Sequence, residues 1–159
     1  MRNPVTIIAE AGVNHNGDFD KALKLIDVAS EAGADFVKFQ TFKANKLVTQ
    51  HAKKAIYQQE NTHNLNSQLE MLSNLEIPID WYSKLLERCK EKKIGFLSTG
   101  FDLESIDFLE KLNLDLFKVP SGEITHKSLL RKIATKKKPV IVSTGMATME
   151  EIKAAVRVL

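Results

Sequence analysis

The stretch Ile94–Glu123, IGFLSTGFDLESIDFLEKLNLDLFKVPSGE, decides the fold. It opens on an apolar run that ends in Ser98, Thr99 and Gly100, then passes through Asp102, a residue suited to capping a helix. The pattern LESIDFLEKLN predicts an amphipathic helix, and a second apolar run, LDLF, leads into Lys118, Ser121, Gly122 and Glu123. A strand, a helix and a second strand in this order run as a parallel pair joined by a right-handed crossover. The polar residues of both strands gather at their C-terminal ends, which in such a unit is the end where ligands bind.

Outward from this unit the pattern repeats. VTIIAEAG from Val5, DFVKFQTF from Asp35 and PVIVSTGM from Pro139 predict three more strands, rich in β-branched residues. Between them lie helical patterns. In DFDKALKLIDVASEAGA, Asp18 caps, Ala22, Leu25, Ile26 and Ala29 share a face, and Gly33 closes the end. PIDWYSKLLERCKEKK, THKSLLRKIATKK and TMEEIKAAVRVL read in the same way, with Thr125 or His126 and then Thr148 as N-caps. Every predicted strand ends in polar groups: Glu10; Lys38 with Gln40; Ser98 with Thr99; Lys118 with Ser121 and Glu123; Ser143 with Thr144. A doubly wound sheet would gather its chemistry at one switch point, whereas a (β/α)8 barrel is ringed by all of its strand ends. We therefore expect a TIM barrel, of which residues 1–159 supply the first five β/α units. A complete barrel takes about 250 residues, so the remainder is expected beyond Leu159.

The 159 residues are 43% apolar and 27% charged, as in an ordinary globular chain. The N-terminal apolar stretch is short and runs into Glu10, which argues against a signal peptide or a membrane span, and a cytoplasmic protein is expected. A net charge of +3, scattered along the chain, gives no footprint for nucleic acid. Cys89, alone in its type, sits in a helical pattern and reads as a core position. His15, His51, His63 and His126 show no metal-ligand spacing.

In KVPSGE the ammonium of Lys118, the hydroxyl of Ser121 and the backbone at Gly122 can converge on an anion, with Glu123 as a nearby acceptor; the plainer reading is a βα turn with a surface lysine. LSTGF and VSTGM repeat the Ser/Thr-Gly chemistry in the units before and after. Lys38 and Gln40 lie two apart on a strand and point the same way, inward in a barrel. A lysine there needs either a carboxylate, with Glu10 on the neighbouring strand at hand, or an anionic ligand. In AEAGVNHNG, Gly12 and Asn16-Gly17 form turns, and His15 either braces the loop or takes part in chemistry. The one long excursion, residues 41–77, has the length of a functional lid.

Taken in order, AEAGVNHNG, VKFQTF, NSQLEM, FLSTGFD, FKVPSGE and VSTGM resemble the catalytic domain of the sialic acid synthase family, the N-acetylneuraminate synthases and their legionaminic acid relatives. The resemblance runs from about residue 5 to the end of the chain. It implies a barrel that condenses phosphoenolpyruvate with an open-chain N-acetylated hexose, such as N-acetylmannosamine, to give a nine-carbon 2-keto sugar acid and phosphate. It implies that Lys118, Ser121 and Ser143 meet the phosphate, and that Lys38 and Thr99 face the carboxylate. Gln40, Asn61 and Glu123 would meet the sugar, with Glu123 also a candidate for proton transfer. Glu10 would stand near the reacting centre and Phe101 would line the pocket. It further implies a divalent metal, Mn or Mg, held by histidines on later strands, and a homodimer completed by a C-terminal antifreeze-like domain, all outside this chain. On that reading the 159-residue piece alone is expected to fold weakly and not to turn over. Relatives often carry proline where this chain has Gly100, and glycine there is expected to loosen the turn that bears Thr99 and Phe101. The rival reading is a non-catalytic module that binds a phosphosugar or another anion with the same lysines.

Overall fold

A computed structural model describes residues 5–50, 52 and 67–159. Five parallel strands follow one another in the order of the chain: β1 Ile8–Gly12, β2 Phe36–Thr41, β3 Gly95–Gly100, β4 Phe117–Val119 and β5 Val140–Val142. The connecting helices are α1 Phe19–Glu31, α2 Ala44–Leu47, α3 Gln68–Ser73, α4 Trp81–Glu91, α5 Leu103–Lys111, α6 Lys127–Ala134 and α7 Met149–Val158. Strand order equal to chain order, with a helical return each time, is the opening five-unit arc of a (β/α)8 barrel. The expected strands all form, but β4 and β5 have three residues each, less than their apolar runs promised. Pro120 has no N–H to extend the β4 ladder.

The pleat separates two chemistries. On the face toward the helices, Val37, Phe39, Phe96, Phe117 and Val119 are buried and pack with Ile26, Leu85, Ile106, Leu109, Leu129 and Ile133. On the other face stand Lys38, Gln40, Thr99 and Lys118, with Gln40 in register with Thr99 and Thr99 in register with Lys118. Burying a leucine-sized side chain contributes about 1.5–3 kcal/mol, so the apolar face holds the arc together and leaves the polar face to other work. Cys89 belongs to the apolar side, and burial pushes its thiol up to about 12, which is a core residue's behaviour.

The caps follow the sequence closely. Asp18 Oδ1 accepts from Lys21 N at 3.0 Å, Asp102 Oδ1 accepts from Ser105 N at 2.8 Å, and Thr148 forms a capping box with Glu151. Gly33 closes α1 with φ +78°. His126 takes the N-cap position of α6 but makes no side-chain bond to that helix.

The excursion after β2 is fastened at its roots. Glu76 accepts from Ala44 N at 2.6 Å and pairs with Lys43 Nζ at 3.0 Å, and Asp102 accepts from Lys43 N at 3.1 Å. The bonds of Glu76, spanning 32 and 33 positions, close the two ends of the excursion on each other, and the bond to Asp102, 59 positions on, ties the first end to the start of α5. Among the described residues no helix is long and apolar enough to cross a membrane.

Candidate functional site

The first wall of the site comes from β1 and β2. The register moves from Glu10 opposite Lys38 to Gly12 opposite Phe39, so Ala11 is an extra residue and the strand bulges. Gly12 has φ +54°, and a Cβ there would lie 3.2 Å from Glu10 Oε1 and 3.6 Å from Gln40 Nε2. Glycine is therefore needed both for the backbone turn and for room beside the two polar side chains. Glu10 forms an ion pair with Lys38, whose Nζ also donates to Thr99 Oγ1 at 3.4 Å. The side chain of Lys38 is 11% exposed and that of Glu10 is 53% exposed, so the lysine is seated in the wall and the carboxylate reaches out over it.

The second wall comes from β4 and β5. Lys118 Nζ donates to Ser143 Oγ at 2.7 Å and to the carbonyl of Val119 at 2.8 Å, both neutral acceptors. Burial, and then the charge of Lys38, hold this lysine below its ordinary pKa, against a partial pull upward from Glu10. Ser121 stands beside the Gly145 turn, where an added Cβ would come 3.6 Å from its Oγ. Between the walls lies a cleft of about 410 Å³ lined by Glu10, Gly12, Val13, Asn14, Lys38, Gln40, Thr99, Phe101, Lys118, Pro120, Ser121 and Ser143. Among the described residues its lining holds two ammonium groups against one carboxylate, with hydroxyls between them. Cations and hydroxyls gathered on one concave surface are the chemistry that suits an anion.

Of the two partners that the sequence offered Lys38, the structure shows the carboxylate of Glu10. Of the two cleft lysines, Lys118 has no acidic partner among the described residues, and its hydrogen bonds go to neutral oxygens. Glu10, Lys38, Gln40, Thr99, Phe101, Lys118, Ser121 and Ser143 come together in the cleft. Glu123 does not line it; its Oε2 accepts from His126 Nδ1 at 2.7 Å. Asn61 lies outside the described residues, as do His51 and His63.

Sequence reasoning passed over Asn14, Val13 and Pro120, which line the cleft because the bulge at Ala11 and the end of β4 turn their loops inward. The Asn-His-Asn-Gly turn was the available signal. Within it His15 is a brace: fully buried, it accepts from Gly17 N at 3.1 Å through Nδ1, and burial lowers its pKa. Its ring packs among Phe39 and Trp81, 6.4 and 6.1 Å away by centroid, and Nε2 has no partner among the described residues. Gly100 also differs from expectation. It is the buried last residue of β3, where a Cβ would come 2.7 Å from Ile106 Cδ1, so glycine admits α5 to the sheet. Among the described residues no three His, Cys, Asp or Glu side chains converge to hold a metal ion.

Residues 25–159 match the model of the NeuB family. The chain is 54% identical over 153 residues to the N,N'-diacetyllegionaminic acid synthase of Campylobacter jejuni, covering 96% of this chain and 46% of that protein. It is 49% identical over 150 residues to the protein of the same name from Legionella pneumophila, covering 94% of this chain and 42% of that one. The crystal structure of N-acetylneuraminic acid synthetase from Leptospira borgpetersenii, in complex with citrate, superposes with a TM-score of 0.82 at 32% identity, over 98% of this chain and 50% of that one. The chain thus spans about half the length of the relatives it matches.

Proposed function

The chain belongs to the NeuB family, and from that membership together with the charge of its cleft we infer that it forms the phosphoenolpyruvate-binding half of a sugar acid synthase. The substrates are phosphoenolpyruvate, an N-acetylated hexose in its aldehyde form, and water. The products are a nine-carbon 2-keto sugar acid and inorganic phosphate. The observation that carries this reading is the Lys38–Lys118 arrangement: among the described residues two ammonium groups share one cleft with one carboxylate, and Lys118 has only neutral partners. A multiply charged anion repairs that imbalance.

Lys118, Ser121 and Ser143 hold the phosphate, and Lys38 with Thr99 holds the carboxylate, so the enol carbon is fixed toward the mouth of the cleft. Gln40 and Glu123 receive the sugar, with Phe101 against its carbon face and Glu10 beside the reacting carbons. The enol carbon forms a bond to the aldehyde carbon, whose oxygen takes a proton. Water then adds to the cationic carbon that bears the phosphate and loses a proton. The tetrahedral carbon expels phosphate with cleavage of its C–O bond, leaving the keto group. Holding both reactants in register is the chain's main contribution, and positioning of this kind lowers barriers by about 7–11 kcal/mol at most.

The high identity to two diacetyllegionaminic acid synthases favours a sugar with two acetamido groups over one with a single acetamido group. In the whole protein we place the remaining strands, a divalent metal (Mn or Mg) with ligands outside this chain, a homodimer and a cytoplasmic setting. The test is phosphate release by the whole protein, with manganese, from phosphoenolpyruvate and a panel of singly and doubly N-acetylated hexoses. Release that depends on one of the sugars is the expected result. Phosphoenolpyruvate binding with no release for any sugar would favour the anion-binding module instead.

A further inference from the structure

Glu123 is the residue expected at the substrate that the structure describes and yet leaves off the cleft. The turn that carries it is fixed: Glu123 N donates to Pro120 O at 3.0 Å, His126 N to Glu123 O at 2.9 Å, and Ile124 is buried. Only the side-chain torsions of Glu123 remain free to move its carboxylate. That carboxylate meets His126, three residues on, and since an ionised carboxylate only accepts, Nδ1 carries the shared proton. His126 sits where a helix cap belongs, but its ring gives α6 no hydrogen bond and serves Glu123 instead.

We propose that His126 is a positioning residue which holds the carboxylate of Glu123 off the cleft while the anion enters, and releases it to the second substrate. The proposal rests on the reading of the cleft given above. Among the described residues two ammonium groups and one carboxylate line that cleft, and Ser121, two residues before Glu123, is part of its wall. A second carboxylate arriving first would pair with Lys118, cancel the remaining charge and compete with the incoming anion. The bond to His126 gives it another partner.

Titration calorimetry of the whole protein with phosphoenolpyruvate, and separately with inorganic phosphate, tests this. His126→Ala is expected to weaken binding of phosphoenolpyruvate about fivefold, the size of one partly exposed charge pair. The double variant His126→Ala with Glu123→Gln is expected to return to the wild-type affinity, because the competing charge is gone. A loss through mere loosening of the turn would not be restored by the second change. If the alanine variant does not fold, His126→Phe keeps the ring, removes the donor and gives the same comparison. Wild-type affinity in the single variant, or no recovery in the double, overturns the role of His126 while the anion site stands. A wild-type protein that binds neither anion overturns the functional reading and this proposal with it.

Discussion

Ser98-Thr99-Gly100 and Ser143-Thr144-Gly145 spell the same triplet at the ends of two strands, and the molecule uses them in opposite phase. The first lies inside β3, so the pleat governs it. Ser98 turns to the helix side and bonds Thr41 Oγ1 at 2.6 Å, which in turn meets Tyr82 at 2.8 Å, while Thr99 faces Lys38. The second begins one residue beyond β5, so its serine turns into the cleft and receives Lys118, and its threonine is exposed. The two glycines differ as well: one is pressed against Ile106, the other open beside Ser121. Identical chemistry thus holds up the wall in one place and forms its lining in the other, and the last paired residue of the strand decides which.

The sharpest way to break this contrast is to remove the group that only the second triplet serves. Lys118→Ala should weaken phosphoenolpyruvate about 100-fold, the scale of charge-assisted bonds, and a fall under threefold in calorimetry would deny that the second triplet borders an anion site. The same lysine has a pH signature. Its pKa is held down in the empty cleft, and a bound anion raises it. Affinity should therefore be complete below the empty-cleft value and be lost as the pH climbs from there toward the bound value. The unliganded fold changes in the opposite sense, gaining stability as that charge is shed.

Next in size is the pair of glycines. Gly100→Ala should cost about 1–3 kcal/mol by overpacking against Ile106, whereas Gly145→Ala should stay within about 0.5 kcal/mol, both read from denaturant melts. Equal costs would mean that the two triplets are packed alike. The smallest effects come from the serines. Ser98→Ala should lower stability by about 1 kcal/mol and leave anion affinity unchanged, while Ser143→Ala should do the reverse, with about fivefold weaker binding. Activity assays and melts on the two variants would show whether the roles are separable.

Much of this was legible beforehand because it is local. Alternating strands and helices, the caps at Asp18, Asp102 and Thr148, and the inward pairing of Lys38 with Gln40 all follow from residues within a few positions of one another. The phase of the triplets was not legible, because it depends on where pairing stops, and β4 and β5 stop earlier than their apolar runs suggest. Hidden too were contacts between distant residues: the Tyr82–Thr41–Ser98 hydroxyl chain, and Asp102 reaching back to Lys43. Periodicity carries no record of partners forty or sixty residues away. Asn14 escaped for a related reason, since the bulge that aims its loop depends on register with β2.

The clamp made by Glu76 on Lys43 and Ala44 bears on how such a chain can be re-engineered. These bonds hold the two roots of the excursion together, so its ends are fixed by the fold and not by its own length. Each doubling of its length costs only about 0.6 kcal/mol of closure entropy. Segments of unequal size can thus be exchanged between the two roots at small cost to the fold, provided the bonds from Glu76 are kept.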